Sequence, residues 1–197
     1  MSDEEKVVSW LEENYKGLIV GVIIGLSILY GYKAYISNEN TKQLNLSREY
    51  DLAINEYNSG KINEILNFSR NNISQNPENI YTSLASLYSA KEMYKQNNFK
   101  EAYVFLEHII KYSSDKEIKS LAKYRKAKLL IEEERYEEAH LLIGEEPDNY
   151  QHIELKGDLY LIQNQYIKAI NHYNDVLTYS ITPNERKNII AKINLIK

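Results

Sequence analysis

Hydrophobic and polar positions divide the chain into two regimes. Leu18 to Tyr32 is an uncharged run of 15 residues, LIVGVIIGLSILYGY. Ala34, Tyr35 and Ile36 carry it past Lys33, whose alkyl stem lets the ammonium reach the headgroups. As a helix, Leu18–Ile36 is about 28 Å long, close to the ~30 Å hydrocarbon core of a bilayer. Tyr30, Tyr32 and Tyr35 gather at one end, where interfacial aromatics sit. The start of the chain is acidic, and Ser37-Asn38-Glu39-Asn40 offers no small-x-small site, so a cleaved signal peptide is disfavoured. The pattern predicts a retained transmembrane helix over residues 17–36 after a short segment, 1–16. In that segment Val7, Val8, Leu11 and Tyr15 share an apolar face with Trp10 beside it, the signature of a short interfacial helix. Gly17, Gly21 and Gly25 recur every four residues along the span, a stripe where another membrane helix can pack closely.

From Thr41 onward the pattern becomes repetitive and helical. A small residue is followed nine positions later by an aromatic and three later by Ala: Ala90-Phe99-Ala102, Ala127-Tyr136-Ala139 and Gly157-Tyr166-Ala169. Ala53-Ile62-Ile65 is a degenerate further copy. Small residues are required where two helices of a hairpin cross closely, and the aromatic opens the second helix. Phe99, Ala102, Tyr103, Leu106, Ile109 and Ile110 make one helical face; Tyr166, Ala169, Ile170, Tyr173, Val176 and Leu177 repeat it. Short polar turns separate the paired helices at Gln96-Asn97-Asn98, Glu133-Glu134-Arg135 and Asn164-Gln165.

Capping chemistry sets the expected boundaries. Asn76-Pro77 reads as a cap and first-turn proline, Ser114 with Glu117 as a capping box, and Pro147-Asp148 as a break. Thr182-Pro183-Asn184-Glu185 opens a last helix through Ile189, Ile190, Ile193 and Ile196, which would cover the end of a solenoid. The expected fold is all-α, a transmembrane helix followed by a helical-hairpin solenoid over 37–197. This pattern resembles the tetratricopeptide repeat over roughly Ala53–Tyr179. Its offsets of 37 and 30 residues and its missing consensus Trp imply irregular hairpins.

Composition narrows the function. The chain holds 28 acidic and 24 basic residues, a formal net charge of −4. Removing the five acidic and three basic residues through Ile36 leaves 23 and 21. That balance supplies no basic field for nucleic acid. The absence of cysteine excludes disulfides, thiolate chemistry and cysteine-based zinc sites. His108, His140, His152 and His172 form no H-E-x-x-H pair, and His140 occupies the packing slot held by Tyr103 and Ile170 in the other repeats. Glu132–Glu134 with Glu137-Glu138 reads as a solvated acidic face. No catalytic or cofactor constellation emerges, so an enzyme is not expected.

Binding remains. First helices of stacked hairpins line a concave surface. By the repeat alignment Leu84, Leu87, Lys91, Tyr94, Tyr124, Lys128, Ile131 and Leu161 face it, with Tyr94 and Tyr124 as anchors. Leu87 and Gln151 stand where a clamp for C-terminal carboxylates would need basic residues.

The whole architecture resembles the YfgM family of ancillary SecYEG translocon subunits. The likeness runs from the acidic, aromatic start through Lys16-Gly17, Gly21-Val22-Ile23-Ile24-Gly25 and Gly31-Tyr32. It continues through Tyr81-Thr82-Ser83-Leu84-Ala85-Ser86-Leu87 to Thr182-Pro183 and Lys192-Ile193-Asn194-Leu195. The resemblance implies a bacterial inner-membrane protein with a cytoplasmic N-terminus and periplasmic repeats. It also implies association with SecYEG and the membrane-anchored chaperone PpiD, and the passing of translocating polypeptides to periplasmic chaperones. Charge alone leaves the orientation open: Lys6 and Lys16 precede the span, while Lys33, Lys42 and Arg48 follow it. The alternative is a membrane-anchored scaffold of an envelope or secretion assembly without client binding.

Overall fold

The structure, a computed structural model, describes residues 3–144, 147 and 149–196. Its described elements are all helices. They are α1 (Asp3–Asn58), α2 (Ile62–Gln75), α3 (Ile80–Lys95), α4 (Phe99–Tyr112), α5 (Lys116–Glu132), α6 (Tyr136–Ile143), α7 (Tyr150–Ile162), α8 (Tyr166–Val176) and α9 (Pro183–Ile196). Two compact units divide the chain, Met1–Glu49 and Tyr50–Lys197.

The described part of the first unit is helix α1 up to Glu49. The backbone shows no interruption at Ile36, where the apolar run ends in sequence, because Ser37–Thr41 contains no Gly or Pro to stop a helix. Its most apolar window has a mean hydropathy of 1.7, and none of that window is buried. By length and composition this helix can cross a membrane. Water would charge heavily for such a surface; hydrocarbon would not. The Ser27 hydroxyl donates to the Ile23 carbonyl at 2.8 Å, which satisfies it without an external partner. A Cβ placed on Gly17, Gly21 or Gly25 would meet nothing within 4 Å.

In the second unit, the end of α1 pairs with α2, α3 with α4, α5 with α6 and α7 with α8. The second helices open on Ile62, Phe99, Tyr136 and Tyr166, the positions the repeat assigns. Two residues before each opener the backbone is left-handed: Gly60 (φ 93°), Asn97 (56°), Glu134 (59°) and Asn164 (60°). At each turn two backbone bonds recur. Asn97 N–H donates to the Tyr94 carbonyl and Asn98 N–H to that of Met93; Glu134 and Arg135 bond Ile131 and Leu130, and Asn164 and Gln165 bond Leu161 and Tyr160. These are Schellman closures, which satisfy the last carbonyls of the first helix. Gly and Asn tolerate the conformation readily. Glu134 is held there by the paired bonds on either side of it.

The small positions lie where helices touch. Ala102, Ala139 and Ala169 are fully buried, as are Ala90 and Ala127 within a few per cent. Repeat offsets shrink from 37 to 30 residues for a visible reason. Helix α6 has 8 residues against 14 in α4, and α7 has 13 against 17 in α5, while the connection before α7 is three residues longer.

Two boundaries differ from the sequence reading. Helix α3 is capped by Asn79, whose side chain accepts from Tyr81 N–H at 2.9 Å, not by Asn76. Asn76 instead closes α2, its N–H donating to Asn72, and its carbonyl accepts from Thr82 Oγ1. Helix α5 is capped by Asp115, which accepts from Ile118 N–H at 2.9 Å, rather than by Ser114. A carboxylate is the stronger acceptor for helix N–H groups, so it takes the position. Pro147 lies outside the helices, Asp148 lies outside the described residues, and Asn149 caps α7. The Thr182–Glu185 capping box forms as expected: Thr182 N–H donates to Glu185 Oε2 at 2.8 Å, and Glu185 N–H donates to Thr182 Oγ1 at 3.3 Å.

The core is a ribbon of three clusters. The first joins α2 to α5 around Phe105, Leu106 and Ile109; the second joins α5, α6 and α7 around Leu130 and Leu159. The third lies between α7, α8 and α9, where Ile189 and Ile193 cover Tyr173 and Val176. Each hairpin thus buries its apolar face against its neighbours, as a solenoid requires.

Candidate protein-binding groove

Packing fixes which face is concave. Among the described residues, α3 packs against α5 and α5 against α7, while α4 and α6 share no comparable interface, nor do α6 and α8. First helices are therefore closer together than second helices, and the array curves toward them.

A cavity of about 290 Å³ opens between α3 and α5. Its apolar floor is Ala90, Leu106 and Leu129, and its rim is Lys91, Tyr94, Arg125, Lys128 and Glu132. Tyr94 stacks on Phe99 with centroids 5.9 Å apart, and its hydroxyl donates to Glu132 Oε1 at 2.7 Å. That hydrogen bond raises the Tyr94 pKa above its ordinary value. Arg125 Nη1 donates to the Leu87 carbonyl at 3.0 Å, which aims the guanidinium across the cavity wall. Burial lowers the Arg125 pKa, against an opposing effect of Tyr88.

Of the residues assigned to the groove from sequence, Lys91, Tyr94 and Lys128 come together here. Leu84 is half-buried and does not line this cavity, and Leu87 is only 7% exposed and belongs to the first core cluster. Tyr124 is half-buried and turned toward α7, its ring edge-on to His152 at 6.0 Å. Ile131 packs on the second core cluster and Leu161 on the third. Arg125 and Glu132 were missing from the sequence assignment. Their spacing from Lys128, three before and four after, puts all three on one helical face and is the signal that finds them.

Where α3 meets the end of α1, Glu92 is 3% exposed and accepts from Tyr57 Oη at 2.7 Å and Lys95 Nζ at 2.8 Å. Burial by itself would raise the Glu92 pKa; the bonds from Lys95 and Tyr57 outweigh it and leave the carboxyl below its ordinary value. Burial, and then the hydrogen bond to Glu92, push the Tyr57 hydroxyl up to about 12.

The histidines serve packing and hydrogen bonding. His108 Nε2 lies 3.0 Å from the Pro77 carbonyl and His140 Nε2 lies 3.0 Å from Gln163 Oε1. His172 Nδ1 is 3.0 Å from the Lys168 carbonyl, and His152 is buried.

The profile of the tetratricopeptide repeat-like domain matches residues 8–197. The chain belongs to this family. The matched residues take in most of α1 and all of the helices from α2 to α9. The chain is also 28% identical over 121 residues to the ancillary SecYEG translocon subunit of Escherichia coli strain K12. That match covers 61% of this tetratricopeptide repeat-like chain and 58% of the relative, a little more than half of each. No solved structure matches the chain significantly.

Proposed function

We propose that this chain is a non-catalytic, membrane-anchored protein-binding subunit that associates with the SecYEG translocon. In this reading α1 crosses the inner membrane with its N-terminus in the cytoplasm, and the solenoid stands in the periplasm. There it links emerging polypeptides to membrane-anchored chaperones of the PpiD kind. The observation that carries the reading is the open α3–α5 cavity, in which Tyr94, two exposed lysines and an apolar floor face the concave side. The name of the Escherichia coli relative and the apolar helix α1 support the location.

Tyr94 is 41% exposed and supplies the apolar area on which a partner can close. Gly17, Gly21 and Gly25 give the span a face that a translocon helix can approach. The test is affinity purification of the full chain from solubilised membranes after crosslinking. Translocon subunits should be recovered with the parent chain, and Tyr94→Ala should reduce crosslinks to translocating chains while leaving the helical circular-dichroism signal unchanged. Recovery of envelope proteins without any translocon subunit would favour a scaffold outside secretion. In spheroplasts, added protease should digest the solenoid; protection until lysis would overturn the orientation.

A further inference from the structure

Helix α5 reverses the charge of the chain locally. It carries Lys116, Lys119, Lys123, Arg125, Lys126 and Lys128 against Glu117 and Glu132, in a chain of net charge −4. Nearby cations are neutralised within the fold: Lys126 pairs with Glu107 at 2.7 Å, and Lys95 with Glu92 at 2.8 Å. The cations lining the α3–α5 cavity are left differently. Among the described residues neither Lys91 nor Lys128 forms an ion pair; Lys128 only lies 5.8 Å from the Tyr124 ring centroid. Glu132, the carboxylate on the rim, is already bonded by Tyr94.

We propose that this cavity selects acidic polypeptide segments, seating one aliphatic or aromatic side chain on its floor while neighbouring carboxylates meet Lys91, Arg125 and Lys128. The inference rests on the reading of the groove as protein-binding and adds the chemistry of its partner. The cavity volume lies near the small end of ligand pockets, roughly 300 Å³, which is room for a side chain of a bound polypeptide. A floor of Ala90, Leu106 and Leu129 beside three cations asks for an occupant that is apolar and anionic within a few ångströms. An extended polypeptide supplies this directly, since its successive residues are spaced by about 3.3 Å. Arg125 has one donor fixed on the Leu87 carbonyl, which holds the planar fork while its other N–H groups remain available to a carboxylate. Half-burial strengthens any charge-assisted bond made there. The concave wall concentrates the positive potential and steers acidic segments inward.

The test uses the full chain in lipid nanodiscs and fluorescently labelled peptides with both termini blocked, read by anisotropy. One peptide alternates Asp or Glu with Leu and Phe, a second replaces the acids with Lys, and a third keeps the acids but replaces the apolar residues with Ser. The first should bind, weakening as salt is raised, and the other two should bind at least tenfold less well. The double variant Lys91→Glu and Lys128→Glu should weaken the acidic peptide at least tenfold and shift preference to the lysine peptide. Lys91→Gln with Lys128→Gln should give an intermediate loss and a shallower salt dependence, with the circular-dichroism spectrum unchanged. Equal binding of acidic and basic peptides, or charge reversal without effect, overturns the inference while leaving the groove as a binding surface. Binding only when the peptide has a free C-terminus would overturn it in favour of terminal carboxylate capture. No binding of any peptide, together with undiminished crosslinking in Tyr94→Ala, removes both this inference and the groove reading.

Discussion

Gly157 of α7 lies against the ring of Tyr173 of α8: a Cβ built on Gly157 would stand 2.7 Å from Tyr173 Cε1 and 2.9 Å from Cδ1. The ring has little room to retreat, because Tyr173 is fully buried and its hydroxyl donates to Asp158 Oδ1 at 2.7 Å. Alanine in mid-helix gains about 1 kcal/mol over glycine in propensity, but overpacking costs about 1–3 kcal/mol. Gly157→Ala should therefore destabilise by about 1 kcal/mol net. Denaturant melts of the full chain in detergent should show an earlier midpoint; a later one would mean that the hairpin crossing is looser than this contact requires.

Lys192 ties the cap helix to the last hairpin. Its ammonium bonds Glu154 Oε1 at 2.7 Å and Asp158 Oδ1 at 2.6 Å, and lies 5.4 Å from the Tyr173 ring centroid. Burial works against its charge, yet the two carboxylates raise its pKa overall. Lys192→Met keeps most of the stem and removes the charge. It should cost about 1–2 kcal/mol and speed amide hydrogen exchange in α9 before any other helix of the solenoid. Uniform exchange changes across all helices would contradict a local role.

The Tyr57–Glu92 pair makes stability depend on pH at both extremes. The folded Glu92 pKa lies below its ordinary 4.5, so its contribution is present above pH 4.5 and lost as pH falls through the lowered value. The folded Tyr57 pKa lies near 12 against an ordinary 10.0, so its contribution is present below pH 10.0 and lost as pH rises toward 12. Tyr57→Phe should cost about 1–3 kcal/mol near neutrality and flatten the alkaline limb of the stability profile. A variant whose alkaline limb matches the parent would assign that limb to other tyrosines.

The glycine stripe of α1 is open, with space at Gly21 for a side chain. Gly21→Leu should leave membrane insertion unchanged, since leucine is as apolar as its surroundings. It should reduce co-purification with membrane partners several-fold, because close helix approach is lost. Full recovery of partners would show that the span serves only as a tether.

Much of this architecture is legible in the residues themselves. The nine-and-three spacing locates the first residues of α4, α6 and α8, because an aromatic opener and a buried Ala have little freedom in a tight hairpin. Caps were less legible where several acceptors stood together: Asn76 and Asn79 both fit, as did Ser114 and Asp115, and tertiary geometry chose between them. The groove was half legible. Lys91, Tyr94 and Lys128 follow from repeat phase, but Leu87 and Tyr124 turn into contacts between neighbouring hairpins. A phase taken from sequence gives the face on which a residue lies, but not how much of that face the neighbouring hairpin covers.

The central claim is that partners are held on the concave side of the solenoid. Site-specific photocrosslinking in native membranes tests it most directly, with the photoreactive residue placed at Lys91 or Lys128 on the first helices, or at Leu141 or Ile167 on the second. Leu141 is 83% exposed and Ile167 77% exposed, so all four positions are accessible without disturbing the core. The account predicts crosslinks to translocon subunits, chaperones or translocating chains from Lys91 and Lys128 and none from Leu141 and Ile167. Crosslinks confined to Leu141 and Ile167 would contradict it and place the binding surface on the outer helices.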